Sequence, residues 1–259
     1  MNVFTFWHKI NHPIPPYVLL SLVSMKRIFG DKLTVLTMNN IRFFLKDFDL
    51  DRQWVFEATN KNISDNVSRI VAFSDYIRMK YCLESGGFWL DADTIVIKDI
   101  TKSIGDFGKK LLWHSEAVFG AEKGHPVIKA ACESMESSRK MKWGNPGGIK
   151  ELIASSECDV QAIPFALVNP GYSPTYQYST CNVMFEQNIS PSDFLKNKDA
   201  CIIKLYNTDF SQKIYGMSVA DFLKTDTLLA KIFLYLDSDA DKWIADSDAI
   251  NEFLDNFCA

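Results

Sequence analysis

Gly86-Gly87-Phe88-Trp89-Leu90-Asp91-Ala92-Asp93-Thr94-Ile95-Val96 is the stretch on which the reading of this chain turns. Three consecutive apolar residues after two glycines read as a strand buried on both faces, and the strand runs straight into a pair of acids. Upstream, Asn66 to Ser85 carries Val67, Ile70, Val71, Ile77 and Tyr81 on one helical stripe, with Gly86-Gly87 where a helix ends in a left-handed residue. Downstream, Thr94 to Ile97 continues as β structure. Asp91 and Asp93 are therefore expected at a strand end, and because side chains alternate along a strand, two acids one residue apart should point the same way.

Like charges so placed repel unless a cation lies beside them, and hard carboxylate oxygens suit Mg²⁺ or Mn²⁺. A metal with few protein ligands keeps positions open for phosphate oxygens and can neutralise the charge that grows on a departing diphosphate. On the preceding helix, Asp75 and Arg78 are three residues apart and share a face with Ser74 alongside. As a plain surface pair they would contribute about 0.2–0.5 kcal/mol; a guanidinium fork beside a diphosphate has a larger use.

Working outward, Val3 to Trp7 reads as a first strand, the Pro-rich His12-Pro13-Ile14-Pro15-Pro16 as a loop, Tyr17 to Phe29 as a helix stopped by Gly30, and Leu33 to Thr37 as a second strand. Strand, helix, strand at the start marks an α/β nucleotide-binding half. Further strands are expected at Leu111 to His114, Glu116 to Gly120, Val160 to Ile163 and Ala200 to Leu205, with a helix from His125 to Ser138. A loop is expected around Trp143, in Arg139 to Gly148, where Lys140 and Lys142 offer contacts to an acceptor or a membrane surface. Near the C-terminus, Phe222, Leu228, Leu229, Ile232, Phe233 and Leu236 make one helical face, and Trp243, Ile250, Phe253, Leu254 and Phe257 another.

A hydrophobic fraction of 47% and 19 Phe suit a globular core, and a net charge of −4 argues against broad nucleic-acid binding while leaving a nucleotide allowed. The longest apolar run, near Tyr17 to Val23, falls well short of a membrane span, and Met1 to His8 lacks the pattern of a signal peptide. These features place the protein in the cytoplasm, with the inner face of the membrane as a further expectation. The six cysteines show no CxxC spacing and read as reduced, mostly buried thiols. His8, His12, His114 and His125 show no zinc-ligand pairing beyond His8 and His12, which flank a proline-rich turn and not a helix. Asp237, Asp239 and Asp241 mimic a calcium loop, but Lys242 stands where the turn needs Gly, so they are expected to cap the last helix.

With Ser74-Asp75-Tyr76-Ile77-Arg78 followed by Gly86-Gly87-Phe88-Trp89-Leu90-Asp91-Ala92-Asp93, the segment from about 66 to 100 resembles the DXD-containing sugar-binding glycosyltransferases. These include initiating mannosyltransferases, capsular polysaccharide enzymes and toxin glucosyltransferases. The resemblance implies a single GT-A-like α/β domain over residues 1–259, with a mixed, mostly parallel central sheet flanked by helices and with C-terminal helices. About 1–120 would bind the nucleotide sugar, and about 121–259 would shape the acceptor side. It implies Mn²⁺ or Mg²⁺, a UDP-hexose donor, a glycan or lipid-linked acceptor of bacterial capsule, O-antigen or lipopolysaccharide synthesis, and retention of anomeric configuration.

By the same resemblance, Asp93 is the direct metal ligand and Asp91 assists it while holding the donor with Ala92. Asp75 binds sugar hydroxyls, Arg78 reaches sugar and diphosphate, Ser74 lies near the nucleoside, and Trp7 with His8 meets the base. The family's C-terminal His, aromatic and Asn pattern is replaced here by Lys204-Leu205-Tyr206-Asn207. Protonated lysine is a poor ligand, so Asn207 is the candidate third one, with Asp209 as an alternative and Lys204 a candidate to neutralise the diphosphate itself. Two other readings compete. Asp91-Ala92-Asp93-Thr94-Ile95 also fits a haloacid dehalogenase-like phosphohydrolase with Asp91 as nucleophile, and aromatics with acids also build non-catalytic carbohydrate-binding modules.

Overall fold

The structure, a computed structural model, describes residues 1–9, 13–46, 55–56, 65–138, 140–141, 149–168, 183–196, 199–205, 214 and 216–256. His12, most of the Arg139 to Gly148 loop, Asn207 and Asp209 lie outside the described residues. The chain forms two compact units that interleave in sequence. One comprises Met1–Ile10, Thr34–Leu90 and Gly105–Ala162; the other comprises Asn11–Leu33, Asp91–Ile104 and Ile163–Ala259.

The first unit is built on a mixed six-stranded sheet. Its strands are β1 (Val3–Phe6), β2 (Leu33–Leu36), β4 (Gly87–Leu90), β6 (Leu111–Ser115), β7 (Val118–Ala121) and β9 (Val160–Ala162), in the order β2-β1-β4-β7-β6-β9. β4 runs parallel to β1 and antiparallel to β7, while β6 is antiparallel to β7 and parallel to β9. Every residue of β1, β4 and β7 is buried. That is the burial expected of a strand written as continuous apolar sequence. The short pair β3 (Val55–Phe56) and β8 (Lys140–Met141) runs parallel, so the sequence expectation of a loop across 139–148 gives way to a two-residue strand at its start.

Helix α3 (Asp65–Ser85) packs on β1, β4 and β7 and against α5 (Pro126–Ser138). Phe73, Ile77 and Cys82 join Phe4, Trp89, Phe119, Ile128 and Cys132 in one core cluster. Burial pushes the Cys82 thiol up to about 12 and raises Cys132 as well, so both stay protonated. The four described cysteines are unpaired thiols.

The second unit holds α1 (Pro16–Phe29), the ribbon of β5 (Thr94–Val96) with β10 (Ile202–Lys204), and a C-terminal helical group. α1 opens on a proline and is buried along most of its length, as its apolar sequence requires. The Ser24 hydroxyl accepts the Val96 N–H at 2.9 Å, pinning this helix to the ribbon. The apolar run through Phe222 and Leu236 is two helices, α9 (Val219–Leu223) and α10 (Leu228–Leu236), and not a single one. The first closes at Lys224, and Thr227 caps the second, its side chain accepting the Ala230 N–H at 3.3 Å. The last helix, α11 (Ala240–Asn256), is capped by Asp239, whose carboxylate accepts the Lys242 N–H at 3.0 Å. The Asp237 cluster therefore caps, as expected, and Arg27 lies 3.8 Å over the Trp243 ring beside it.

Gly86 is where the helix-to-strand reversal is most constrained. Its φ is +68°, its N–H bonds the Cys82 carbonyl at 2.9 Å, and a Cβ there would lie 2.7 Å from the Lys123 nitrogen. Both the left-handed backbone and the lack of space demand glycine. Gly86→Ala is expected to lower unfolding free energy by about 2–4 kcal/mol, read from urea denaturation at constant m-value.

Candidate active site

The acid triplet is the turn that leaves β4 and enters β5. The two carboxylates do converge, but by turn geometry and not by the extended alternation assumed from sequence. Both reach one ammonium: Lys204 Nζ lies 2.5 Å from Asp93 Oδ1 and 3.3 Å from Asp91 Oδ2. Lys204 also donates to the Leu205 carbonyl. All three side chains belong to the second unit, and the side chains of Asp93 and Lys204 are only 8% and 6% exposed. Ala92 between the acids is buried.

Local folding explains the contact. β10 pairs antiparallel with β5 so that Ile202, Ile203 and Lys204 face Val96, Ile95 and Thr94 in register. The next N–H, that of Leu205, bonds the Asp93 carbonyl at 3.0 Å. The ribbon therefore fixes Lys204 beside the triplet through backbone bonds, leaving only its side chain to choose a direction. Sequence reasoning flagged Lys204 as a departure from the resemblance but did not foresee it as the counter-charge of the acids. The apolar Ile202-Ile203 pair running into Lys204 is the local signal, that of a strand.

In the first unit, Asp75 and Arg78 form a buried pair, Nη2 to Oδ1 at 2.8 Å, with side chains 1% and 8% exposed. This is no surface i,i+3 pair. Arg78 Nη1 donates to the Glu116 carbonyl at 2.8 Å, Nε donates to the Ser74 carbonyl at 3.4 Å, and Nη2 reaches the Ser74 hydroxyl at 3.5 Å. Its guanidinium also stands 5.0 Å from the Trp89 ring centroid. The arginine thus orients the Asp75 carboxylate. Glu116 and Trp89 are the supporting groups that spacing alone did not reveal.

Trp7 and His8 continue β1, with the Trp7 N–H on the Leu36 carbonyl at 3.0 Å. Trp7 Nε1 and His8 Nδ1 are both buried with no hydrogen-bond partner among the described residues. Buried polar nitrogens are normally satisfied, so these two are suited to accept a polar ligand. Desolvation holds the His8 imidazole below its ordinary value of 6.5, so it is neutral at pH 7.

Asp91 and Asp93 present hard oxygen ligands that already converge on one cation, which fits Mg²⁺ or Mn²⁺ by donor chemistry. Among the described residues, no group of three or more His, Cys, Asp or Glu side chains is placed to hold a metal. Among the described residues, a divalent ion on this pair would meet these two carboxylates, with the Lys204 ammonium beside them.

The geometry can be set beside known proteins. Residues 3–111 match the family model described as the glycosyltransferase sugar-binding region containing DXD motif. That segment includes Trp7, His8, Ser74, Asp75, Arg78 and the Asp91-Ala92-Asp93 triplet, and the family generally binds a divalent metal. Two solved structures are similar. The PaToxG glycosyltransferase is 13% identical, with a TM-score of 0.33, over 53% of this chain and 60% of its own. The apo-form glycosyltransferase GlyE in Streptococcus pneumoniae TIGR4 is 12% identical, with a TM-score of 0.45, over 96% of this chain and 63% of its own. The chain thus spans less than two thirds of the length of either. A search of curated protein sequences finds no match. No helix among the described residues is long and apolar enough to cross a membrane.

Two outcomes test this geometry. Arg78→Ala strands a buried carboxylate and is expected to cost about 3–5 kcal/mol in denaturant unfolding, far more than loss of a surface pair. For His8, the folded value lies below the unfolded one, so its contribution to stability is complete above about pH 6.5 and is lost as pH falls through the folded value. Midpoints in urea at descending pH should therefore fall less steeply in His8→Gln than in the native chain.

Proposed function

We propose that this chain, whose residues 3–111 match the model of the DXD-containing glycosyltransferase sugar-binding region, is a retaining, GT-A-like hexosyltransferase. In this reading it moves a sugar from a nucleotide donor, a UDP-hexose foremost, to a glycan hydroxyl. The acceptor is a bacterial surface glycan in the course of synthesis, handled on the cytoplasmic side of the membrane. The observation that carries the reading is the convergence of Asp91 and Asp93 on one cation at the motif the family region is named for.

The balanced reaction joins acceptor oxygen to the anomeric carbon, breaks the bond from that carbon to the donor phosphate oxygen, and releases a nucleoside diphosphate and a proton. Bound Mn²⁺ or Mg²⁺, held by Asp93 with Asp91 assisting, would supply positive charge to the departing diphosphate. The protein's own groups do the rest. Asp75, aimed by Arg78, accepts hydrogen bonds from sugar hydroxyls; a carboxylate fixed before the substrate arrives loses no orientation on binding. Arg78 adds positive potential on the donor side, and Ser74 shares its guanidinium. The indole of Trp7 offers a face for a nucleobase, while its N–H and the His8 ring gain partners they lack among the described residues. The first part of the chain, about 1–120, serves the donor in this scheme, and about 121–259 the acceptor.

The test is a panel of nucleotide sugars with Mn²⁺, following donor hydrolysis and nucleoside diphosphate release without any acceptor. One donor is expected to turn over, and Asp93→Asn, which keeps the shape and an acceptor for Lys204, is expected to slow it about 100- to 1000-fold with an unchanged near-ultraviolet spectrum. Unimpaired turnover in that variant removes the acid pair from the chemistry. Cleavage of a simple phosphate ester, with every nucleotide sugar untouched, transfers the assignment to a phosphohydrolase using Asp91.

A further inference from the structure

Lys204 is the group that the proposed reaction leaves unused. A lysine at 5% exposure is costly unless its charge is matched, and here it is matched twice over, by Asp93 at 2.5 Å and Asp91 at 3.3 Å. The formal charges of the trio sum to −1. By itself, a trio of that sign repels a diphosphate. Replacing the ammonium on the carboxylates by a divalent ion, while keeping the lysine nearby, changes the sum to +1, a site that attracts one. The ammonium sits on Asp93 Oδ1 and Asp91 Oδ2, and its charge repels a divalent ion drawn to the same carboxylates, so the two cations compete.

We propose that Lys204 is a resident placeholder cation. It holds Asp91 and Asp93 together in the free protein, keeps a divalent ion from settling there alone, and moves off the pair when metal and nucleoside diphosphate arrive together. Once off the carboxylates, its ammonium becomes a hydrogen-bond donor for the diphosphate, whose charge replaces the one it has left. Metal and nucleotide then bind cooperatively, each raising the affinity of the other by the same factor. The ribbon between β5 and β10 keeps the displaced lysine close, because the backbone bonds that fix residue 204 do not depend on its side chain. Lys204 is thus a positioning residue for the donor site; its part with the nucleotide rests on the proposed donor reading, but its competition with metal does not.

Calorimetry with Mn²⁺ alone, and with Mn²⁺ in saturating UDP or GDP, tests this on the native chain, Lys204→Gln and Lys204→Arg. Glutamine keeps donors for Asp93 and the Leu205 carbonyl without charge. Mn²⁺ alone is expected to bind about tenfold more tightly to Lys204→Gln than to the native chain, and the enhancement by nucleotide should shrink from about tenfold or more to under about threefold. Lys204→Arg, which keeps the charge, should retain weak binding of Mn²⁺ alone. A lysine that merely braces the fold would give a less stable Gln variant with equal or weaker Mn²⁺ binding, and that result overturns the proposal. So does a native chain that binds Mn²⁺ alone as tightly as it does with nucleotide, a measurement that requires no variant to fold. Should neither UDP nor GDP bind under any condition, the donor reading fails, and the Mn²⁺-alone comparison still decides whether Lys204 competes with metal.

Discussion

Two carboxylates, one of them buried, share a turn of three residues, and positive charge beside that turn offsets their mutual repulsion. Asp93 at 8% side-chain exposure has lost most of the hydration that would stabilise its charge, and Asp91 stands on the same ammonium. The counter-charge comes from residue 204, more than a hundred positions away in sequence, delivered by an antiparallel ribbon. Register decides the outcome. A slip of one residue along β10 would turn Lys204 to the other face and bring an isoleucine to the acids. The packing of Ile202 and Ile203, both fully buried, is what prevents the slip.

A second buried charge pair follows the same logic in the other unit. Asp75 is almost completely covered, and Arg78 meets it from one helical turn away. The guanidinium is then held at the Glu116 carbonyl and at Ser74, with the Trp89 ring nearby. Removing the arginine would leave the carboxylate without its matching charge, a far larger penalty than the pair's net contribution. Helix α3 thus does two things at once. Its apolar side, through Phe73 and Ile77, builds the core, and its polar turn carries a fixed carboxylate.

Much of this arrangement is legible in local sequence signals. The apolar run Phe88-Trp89-Leu90 can only be comfortable between covering layers, and Gly86 can only be replaced at a steric cost, so strand and reversal were both legible. Local rules stop applying where the chain turns or a helix is capped. Alternation along a strand does not describe Asp91 to Asp93, because the chain turns there. The face containing Phe222 and Leu228 looked continuous by helical spacing, yet Thr227 caps a new helix between them. Of the candidate site, the acids, Asp75 and Arg78 were readable because they fall on one short stretch. The role of Lys204 was not, since it depends on a pairing between distant strands that no window of sequence contains.

The cost of these charges bears on what they are for. Exchanging a buried ion pair for apolar residues of similar volume is often neutral or stabilising, so a fold in need of stability alone gains little by burying Asp75 with Arg78 or Asp93 with Lys204. Both clusters sit within an otherwise apolar sequence context, where aliphatic side chains were available at neighbouring positions such as Ile77 and Ile203. Charges that are expensive to bury become advantageous when their orientation must be set in advance, because a fixed dipole or ion needs no reorganisation when a charged ligand arrives. The Lys204 trio adds a further property. A cation already in place lets the acid pair exist without metal, and its single charge makes it the weaker competitor once a divalent ion and a polyanion come together.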